Sequence, residues 1–163
     1  MNPLNIPSRI ICFDLATKSG YATYDNGKLS SGIKDFAKSK KTSYGCLYND
    51  FSTWVKNFPN YDLYVAERSV MLYRAATEIC FAMFSRVEEY AYTQNKPFRA
   101  VPPKVIKKFI SGKGNCDKAP IIKWFQTTFH RDPLSPDESD AMALLFYVLK
   151  DFNIDVEALA HDV

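Results

Sequence analysis

The chain has 163 residues, of which 47% are apolar and 15% aromatic, and it carries a formal net charge of +3. This length and composition exclude a disordered chain and predict a single globular domain over residues 1–163. There is no run of eighteen apolar residues, and MNPLNIPSR lacks a signal-peptide pattern, so we expect a cytoplasmic protein with no membrane partner.

The N-terminal part of the chain predicts three strands joined by short turns. Residues 9–14 and 19–25 have the apolar and β-branched pattern of strands. Asp25-Asn26-Gly27 contains the Asn-Gly pair that favours a hairpin, and it leads into a third strand in KLSSGI.

The rest of the chain predicts helices alternating with two further strands. In order, the predicted elements are a helix from about Ser43 to Phe58, a strand from Asp62 to Glu67, a long helix from about Tyr73 to Asn95, the strand FRAV, a helix from Pro103 to Ile110, a helix beginning near Asp117 and a last helix after Ser135. Strands four and five must reach the sheet through helical crossovers, which gives an α/β fold with a five-stranded mixed sheet flanked by helices. This is the element order of the ribonuclease H fold.

Four carboxylates stand where strands end or a helix begins. Asp14 closes IICFD, Glu67 closes DLYVAE, and Asp137 and Asp140 open SPDESDAMALLFYVLK. The last two lie near one face of the helix, beside its apolar stripe, and no Lys or Arg lies one turn away on that helix. A cation shared with Asp14 and Glu67 is a reasonable partner, and ligands that are all oxygen favour Mg²⁺ or Mn²⁺ over zinc.

These acids also have a structural interpretation. Ser135 and Glu138 form an S-x-x-E capping box, and acids in a first helical turn are stabilising without any chemistry. A single acid at a strand end is usually a turn or cap residue. The combination of all four acids favours the metal site.

Lysines concentrate in two stretches of the sequence. One stretch holds Lys34, Lys38, Lys40 and Lys41, and the other holds Lys104, Lys107, Lys108, Lys113, Lys118 and Lys123. Such patches suit a phosphate backbone, although a solvated surface would have the same composition.

Cysteine and histidine usage argues against a zinc site. The cysteines are widely spaced, never C-x-x-C, and are expected to be reduced core thiols: Cys12, Cys46, Cys80 and Cys116. His130 and His161 have no Cys or His partner at metal-site spacing.

In four segments, from about Arg9 to Tyr147, the sequence resembles the RuvC family of Holliday-junction resolvases. IICFDLATKSGYATYD looks like the family's first strand and following turn, with Gly20 in the turn, and VAERSVM looks like its second acidic motif. PKVIKKFISGKGNCDK is similar to the family's basic segment, and DESDAMAL to its D-x-x-D-A-x-A-L. Four motifs in order at appropriate gaps make the resemblance specific.

The resemblance implies a magnesium-dependent endonuclease that nicks four-way or branched DNA symmetrically, as a homodimer. Two Mg²⁺ ions per site, replaceable by Mn²⁺, would be held by Asp14, Glu67, Asp137 and Asp140, with Lys118 completing the catalytic set. The DNA-binding residues would be Lys104, Lys107, Lys108, Lys113, Lys118 and Tyr73. The candidate dimer surface is the aromatic-rich long helix, which could equally be a core helix.

Two departures from the family pattern bear on selectivity. Val70 stands where bacterial members carry an aromatic residue used at the junction, which leaves Tyr73 as the nearest substitute for base stacking. DLATKSG lacks the commoner Gly after the first acid, a divergence that resembles phage or viral relatives.

Three rival functions remain open to different degrees. An actin-like sugar kinase needs far more chain and a Gly soon after the first acid, whereas this chain has Leu15-Ala16-Thr17. A non-catalytic nucleic-acid-binding module would not need all four acids. A broader structure-selective nuclease, acting on branched DNA or RNA–DNA hybrids, is the main alternative because of Val70.

Overall fold

The computed structural model describes residues 6–68, 74–115 and 117–160. Its centre is a five-stranded sheet in the order β3-β2-β1-β4-β5. The strands are β1 (Arg9–Asp14), β2 (Lys18–Asp25), β3 (Lys28–Asp35), β4 (Leu63–Glu67) and β5 (Phe98–Val101). The first three form an antiparallel meander, while β4 runs parallel to β1 and β5 parallel to β4. The predicted mixed sheet is confirmed.

The β2–β3 hairpin closes at the predicted Asn-Gly turn. Asn26 and Gly27 both have positive φ, at 49° and 92°, between the paired residues Asp25 and Lys28. Two consecutive left-handed residues match the twist of a two-residue hairpin, which is why this dipeptide predicts the turn correctly.

Helices cover both faces of the sheet, and side chains alternate between the two faces along β1. The helices are α1 (Ala37–Thr42), α2 (Tyr44–Val55), α3 (Arg74–Thr93), α4 (Pro103–Ser111), α5 (Lys118–Phe129), α6 (Pro136–Asp151) and α7 (Val156–Ala160). Ile11 and Phe13 pack with side chains of α2 and α3, whereas Ile10 and Cys12 pack with those of α4, α5 and α6. Burial on both faces explains the continuous apolar run IICF.

Helix α6 is the central helix of its layer. Every residue from Ala141 to Leu149 except Tyr147 is buried, and the helix lies against β1 and β2. Its apolar surface extends almost all the way round, as expected for a helix packed between a sheet and other helices.

Two short helices were not expected from the sequence. Helix α1 covers the lysine-rich segment KSKK, which has no apolar face, and the buried ring of Phe36 anchors its start. Helix α7 lies in the acidic C-terminal tail. Short helices that depend on tertiary contacts leave little periodic signal in the sequence.

The thiol prediction is confirmed only in part. Cys12 is buried and Cys46 and Cys80 are half-buried, all three as reduced thiols, while Cys116 lies outside the described residues. No helix in the described part of the chain is long and apolar enough to cross a membrane.

Candidate active site

Asp14 and Glu67 lie side by side at the carboxyl ends of two parallel strands. The β1–β4 register pairs Cys12 with Val65 and Phe13 with Ala66, so the two acids follow at the same level. Because side chains alternate along a strand, both acids lie on the face of Cys12 and Val65, which is the face that α6 covers. Ligand sites in such sheets lie at the carboxyl ends of the strands.

Gly20 allows the first turn of α6 to approach this edge. Gly20 lies in β2, opposite Asp14, rather than in the preceding turn. A Cβ atom at this position would overlap the carbonyl oxygen of Asp137. Only glycine therefore lets α6 begin directly over β2, which brings its first-turn acids to the strand ends.

The turn between β1 and β2 is closed by a side chain instead of a glycine. Ser19 is buried, and its Oγ donates to the Ala16 carbonyl oxygen at 2.7 Å and accepts from the Ala16 amide at 3.3 Å. The hydroxyl replaces a backbone turn bond. This accounts structurally for the glycine-poor sequence DLATKSG.

Lys118, the first residue of α5, is the basic partner of the two α6 acids. Its Nζ lies 3.1 Å from Asp140 Oδ2 and 3.5 Å from Asp137 Oδ1. No Lys or Arg lies one turn from these acids on α6 itself, and the neighbouring helix α5 supplies the cation. Lys118 therefore lies beside the acids, where the resemblance to the RuvC family placed it.

The four carboxylates form one electrostatic unit. Burial, followed by the charges of Glu67 and Asp140, raises the pKa of Asp14 well above its usual value, and Lys118 only partly offsets this. Burial and the Asp140 charge raise the pKa of Glu67 to about 7. Burial likewise raises the pKa of Asp140, against the opposing effect of Lys118. The charges of these carboxylates are therefore close enough to act on one another.

Glu138 has a role that the sequence analysis missed. It is fully buried and accepts hydrogen bonds from Arg131 Nη2 at 2.8 Å, Ser31 Oγ at 2.6 Å and the Leu134 amide at 2.5 Å. Ser135 is the N-cap of α6 but makes no side-chain capping bond. The capping-box alternative is therefore wrong, because Glu138 instead ties α6 to β3 and to the α5–α6 connection. The S-x-x-E pattern alone gave no sign of this.

The predicted DNA-binding lysines divide into two groups. Lys107 lies close enough for its charge to lower the pKa values of Glu67 and Asp140, and it joins Lys118 at the acids. Lys104, Lys108 and Lys113 are exposed on α4 and on the loop that follows it. Tyr73 and Val70 lie outside the described residues.

The donor set suits a hard divalent cation. The four acids offer only oxygen ligands. The pKa values of Asp14, Glu67 and Asp140 are raised first by burial and then by neighbouring carboxylates, and a bound cation would counter both effects. In the side-chain arrangement of the structure, no three Asp, Glu, His or Cys residues among those described lie close enough together to coordinate one ion. Lys118 is the cation in contact with the α6 pair in this arrangement.

Solved structures with a similar fold include two of Thermus thermophilus RuvC. One, in complex with a Holliday junction substrate, matches with a TM-score of 0.64 at 13% identity, over 86% of this chain and 92% of that chain. The other gives a TM-score of 0.63 at 14% identity, over 89% and 96% of the two chains. The yeast mitochondrial Holliday junction resolvase Ydc2 matches with a TM-score of 0.53 at 14% identity, over 99% of this chain and 85% of its own.

The chain thus has a RuvC-like fold of the ribonuclease H type, as its motifs predicted. At 13–14% identity, the similarity establishes the fold alone. No family model and no curated protein matches the chain.

Proposed function

We propose that this chain is a divalent-metal-dependent endonuclease that resolves four-way DNA junctions by nicking two strands symmetrically. One observation carries the proposal: four carboxylates and Lys118 lie near one another at the carboxyl ends of β1 and β4 in a RuvC-like fold. The similar RuvC structure contains a Holliday junction substrate, which supports the choice of branched DNA.

In the proposed site, Asp14, Glu67, Asp137 and Asp140 would hold two Mg²⁺ ions, for which Mn²⁺ would substitute. When bound, such ions activate a water and stabilise the leaving 3′ oxygen. Lys118 reaches the same point from α5 and holds a DNA phosphate beside the acids, where its charge offsets the negative charge of the transition state. Asp14 is central because its pKa responds to the other three acids and to Lys118.

The lysines of α4 and its following loop position the DNA. Lys104, Lys108 and Lys113 are exposed, and Lys107 lies close to the acids, so a phosphate backbone can run along this side of the site. Tyr73 remains our candidate for base stacking. These contacts fix the position of the backbone and carry no sequence information by themselves.

Symmetric nicking needs two active sites, so we also propose a C2 homodimer. On α3, the stripe Ile79, Met83 and Val87 is buried against the sheet, whereas Phe81 and Tyr92 are 40% and 84% exposed. These two rings lie outside the core and are candidates for the interface. Native mass measurement should give twice the 18.6 kDa of the monomer, and a monomer mass at all concentrations would contradict the dimer.

A broader structure-selective nuclease is the second candidate, and the sequence observation that favours it is Val70 in place of an aromatic residue. A non-catalytic DNA-binding module is the third. It is disfavoured because all four acids are retained and brought together.

The test is nicking of a labelled synthetic four-way junction with Mg²⁺ or with EDTA. Linear duplex, fork, flap and RNA–DNA hybrid serve as parallel substrates. Paired nicks on opposite strands of the junction, lost in EDTA, are the expected result. Equal cutting of all substrates would establish the broader nuclease, and binding without cutting would establish the non-catalytic module.

A further inference from the structure

A second basic segment lies at the same edge of the sheet as the candidate active site. Strand β3 ends at Asp35, which pairs with Lys18, and β2 then brings Gly20 opposite Asp14. Helix α1 begins directly after this strand end, and the Phe36 amide donates to the Thr17 carbonyl oxygen at 2.8 Å. The lysines of α1 are therefore held at the catalytic edge.

This segment lies on the opposite side of the sheet from α6. The buried Phe36 ring packs with the side chains of α2 and α3, not with those of α4, α5 and α6. The basic α4–α5 region and the α1 region thus flank the strand ends from the two faces of the sheet. The proposed activity makes no use of the α1 region.

The lysine charges of this segment are accessible to a ligand. Its four lysines are exposed, and none of them forms an ion pair with a described residue: Lys34, Lys38, Lys40 and Lys41. The neighbouring acids are engaged locally, since Asp35 accepts from the Ala37 amide at 2.7 Å and Asp50 accepts from Ser39 Oγ at 2.5 Å. A net positive surface results.

Flat rings stand beside these lysines. Tyr44, the first residue of α2, is 50% exposed, and its ring stacks on Tyr48 at 6.2 Å with an interplanar angle of 18°. The Arg86 guanidinium lies 4.5 Å from the Tyr48 ring centroid. Ser43 accepts from the Cys46 amide at 3.0 Å, which fixes the start of the helix that carries Tyr44. The outermost ring of this stack is open to solvent and does not contribute to the core.

We propose that Lys38, Lys40, Lys41, Tyr44 and Tyr48, here called the lysine–tyrosine surface, form a second nucleic-acid-binding site. The lysines bind backbone phosphates of a DNA arm that leaves the active site on the α1 side, and Tyr44 stacks on an unpaired base near the branch point. Basic side chains interleaved with accessible aromatic rings are the physical requirements for binding unpaired nucleic acid. The choice of branched DNA as ligand rests on the function proposed above.

The test compares two double variants. Each removes two exposed lysine charges, but from different parts of the surface. Lys40→Gln/Lys41→Gln removes two charges from the surface, and Lys28→Gln/Lys56→Gln removes two from exposed positions at the opposite edge of the sheet. Binding of a labelled four-way junction, and of a fork with an unpaired strand, is measured in EDTA over a range of salt concentrations.

The surface pair should weaken binding by roughly fivefold to tenfold and lower the salt slope by about two, because each lost phosphate contact removes about one released counterion. The remote pair should change neither the affinity nor the salt slope. Lys40→Arg/Lys41→Arg, which keeps both charges, should bind like the parent. Tyr44→Ala should weaken fork binding by at least about threefold, while Tyr44→Phe, which keeps the ring, should not.

Equal effects of the two Gln pairs would overturn the proposal, even if Mg²⁺-dependent junction nicking is intact. A selective loss of binding in the surface pair, together with no nicking by the parent protein, would support the surface while rejecting the endonuclease. If the parent protein bound neither DNA, the proposal would fail.

Discussion

At the scale of single residues, the candidate site concentrates negative charge in a partly buried place. Asp14, Glu67 and Asp140 all have raised pKa values, and burial is the largest cause for each. A bound cation offsets both the burial penalty and the mutual repulsion of such carboxylates. The same repulsion has a cost in stability when no cation is bound.

In EDTA, the unfolding free energy of the parent protein should rise as the pH falls from 8 to 5. An acid whose folded pKa is raised stabilises the protein most below its unfolded pKa, and that stability is lost as pH rises through the folded pKa. For Glu67 the window lies between its usual 4.5 and about 7. The parent should therefore gain on the order of 2 kcal/mol of unfolding free energy between pH 8 and pH 5.

Asp14→Asn should be more stable than the parent at pH 8, and the difference should shrink towards pH 5. Asp62 and Glu138 do not interfere in this range, because their lowered pKa values place their losses of stability at more acid pH. Urea unfolding at several pH values measures the effect. A parent that loses stability steadily from pH 8 to pH 5 would contradict it.

Glu138 gives a second prediction at the residue scale. Burial alone would raise its pKa, but hydrogen bonds from Arg131, Ser31 and the Leu134 amide hold the pKa below its usual value. Glu138→Gln removes the charge that Arg131 faces, and we expect a loss of roughly 2 kcal/mol. Glu88→Gln, an exposed change on α3, should stay within about 0.5 kcal/mol of the parent. Chemical denaturation measures the unfolding free energy of both variants. Equal unfolding free energies for Glu138→Gln and Glu88→Gln would contradict the proposed role of Glu138.

At the scale of elements, the site depends on how closely α6 approaches β2. The contact cannot accommodate a side chain at Gly20, because a Cβ atom there would overlap backbone atoms of Asp137 and not a flexible side chain. Overpacking of this kind forces the backbone to move. The acids of the first turn of α6 would move with it.

We therefore predict that Gly20→Ala destabilises the protein by about 1–3 kcal/mol and also lowers the nicking rate. Gly45→Ala is the matched control, since Gly45 lies in α2 and is exposed. Among the described residues outside its own helix backbone, only Ser43 Oγ comes within 4 Å of its Cβ position, at 3.8 Å. The control should be neutral or more stable by up to about 1 kcal/mol, because Ala favours a helix. Thermal unfolding and single-turnover nicking of the two variants provide the measurement. An unaffected Gly20→Ala protein would mean that α6 does not need this close approach.

The elements could largely be predicted from sequence, since their signals are local. The apolar run ending at Asp14, the Asn-Gly turn and the helical period after Ser135 each lie within a few residues. The side-chain contacts that join different elements could not be predicted in the same way. Ser31 and Glu138 are 107 residues apart, and no pattern in the sequence joins them. Helix α1 was missed because its position comes from Phe36 and not from an apolar stripe.

Across the whole molecule, the candidate site lies at the carboxyl ends of the parallel strands, and contacts that stabilise the fold lie at their amino ends. At the carboxyl ends of β1 and β4 lie the acids, with Lys118 and the basic helices α4 and α1 around them. At the opposite edge, Asp62 accepts from Ser8 and Arg9 amides and pairs with Lys96 at 3.1 Å, which ties the N-terminal segment to the sheet.

The proximity of Asp14 and Glu67 was predictable from topology, because parallel strands place their carboxyl ends together. The order of the elements indicated that the start of α6, with Asp137 and Asp140, lies near them. Their basic partner was not predictable by the same reasoning. It depends on where α5 packs, and only the resemblance of the basic segment to the RuvC family indicated Lys118. The roles of these residues remain predictions.

If the four acids act as one metal-dependent catalytic unit, Asp14→Asn should abolish nicking. The measurement is single-turnover nicking of a four-way junction in Mg²⁺, with junction binding measured in parallel and with Asp25→Asn, at the far end of β2, as control. We predict that Asp14→Asn loses at least about a thousandfold in rate while binding changes little, and that Asp25→Asn nicks like the parent. Nicking by Asp14→Asn near the parent rate would contradict the account.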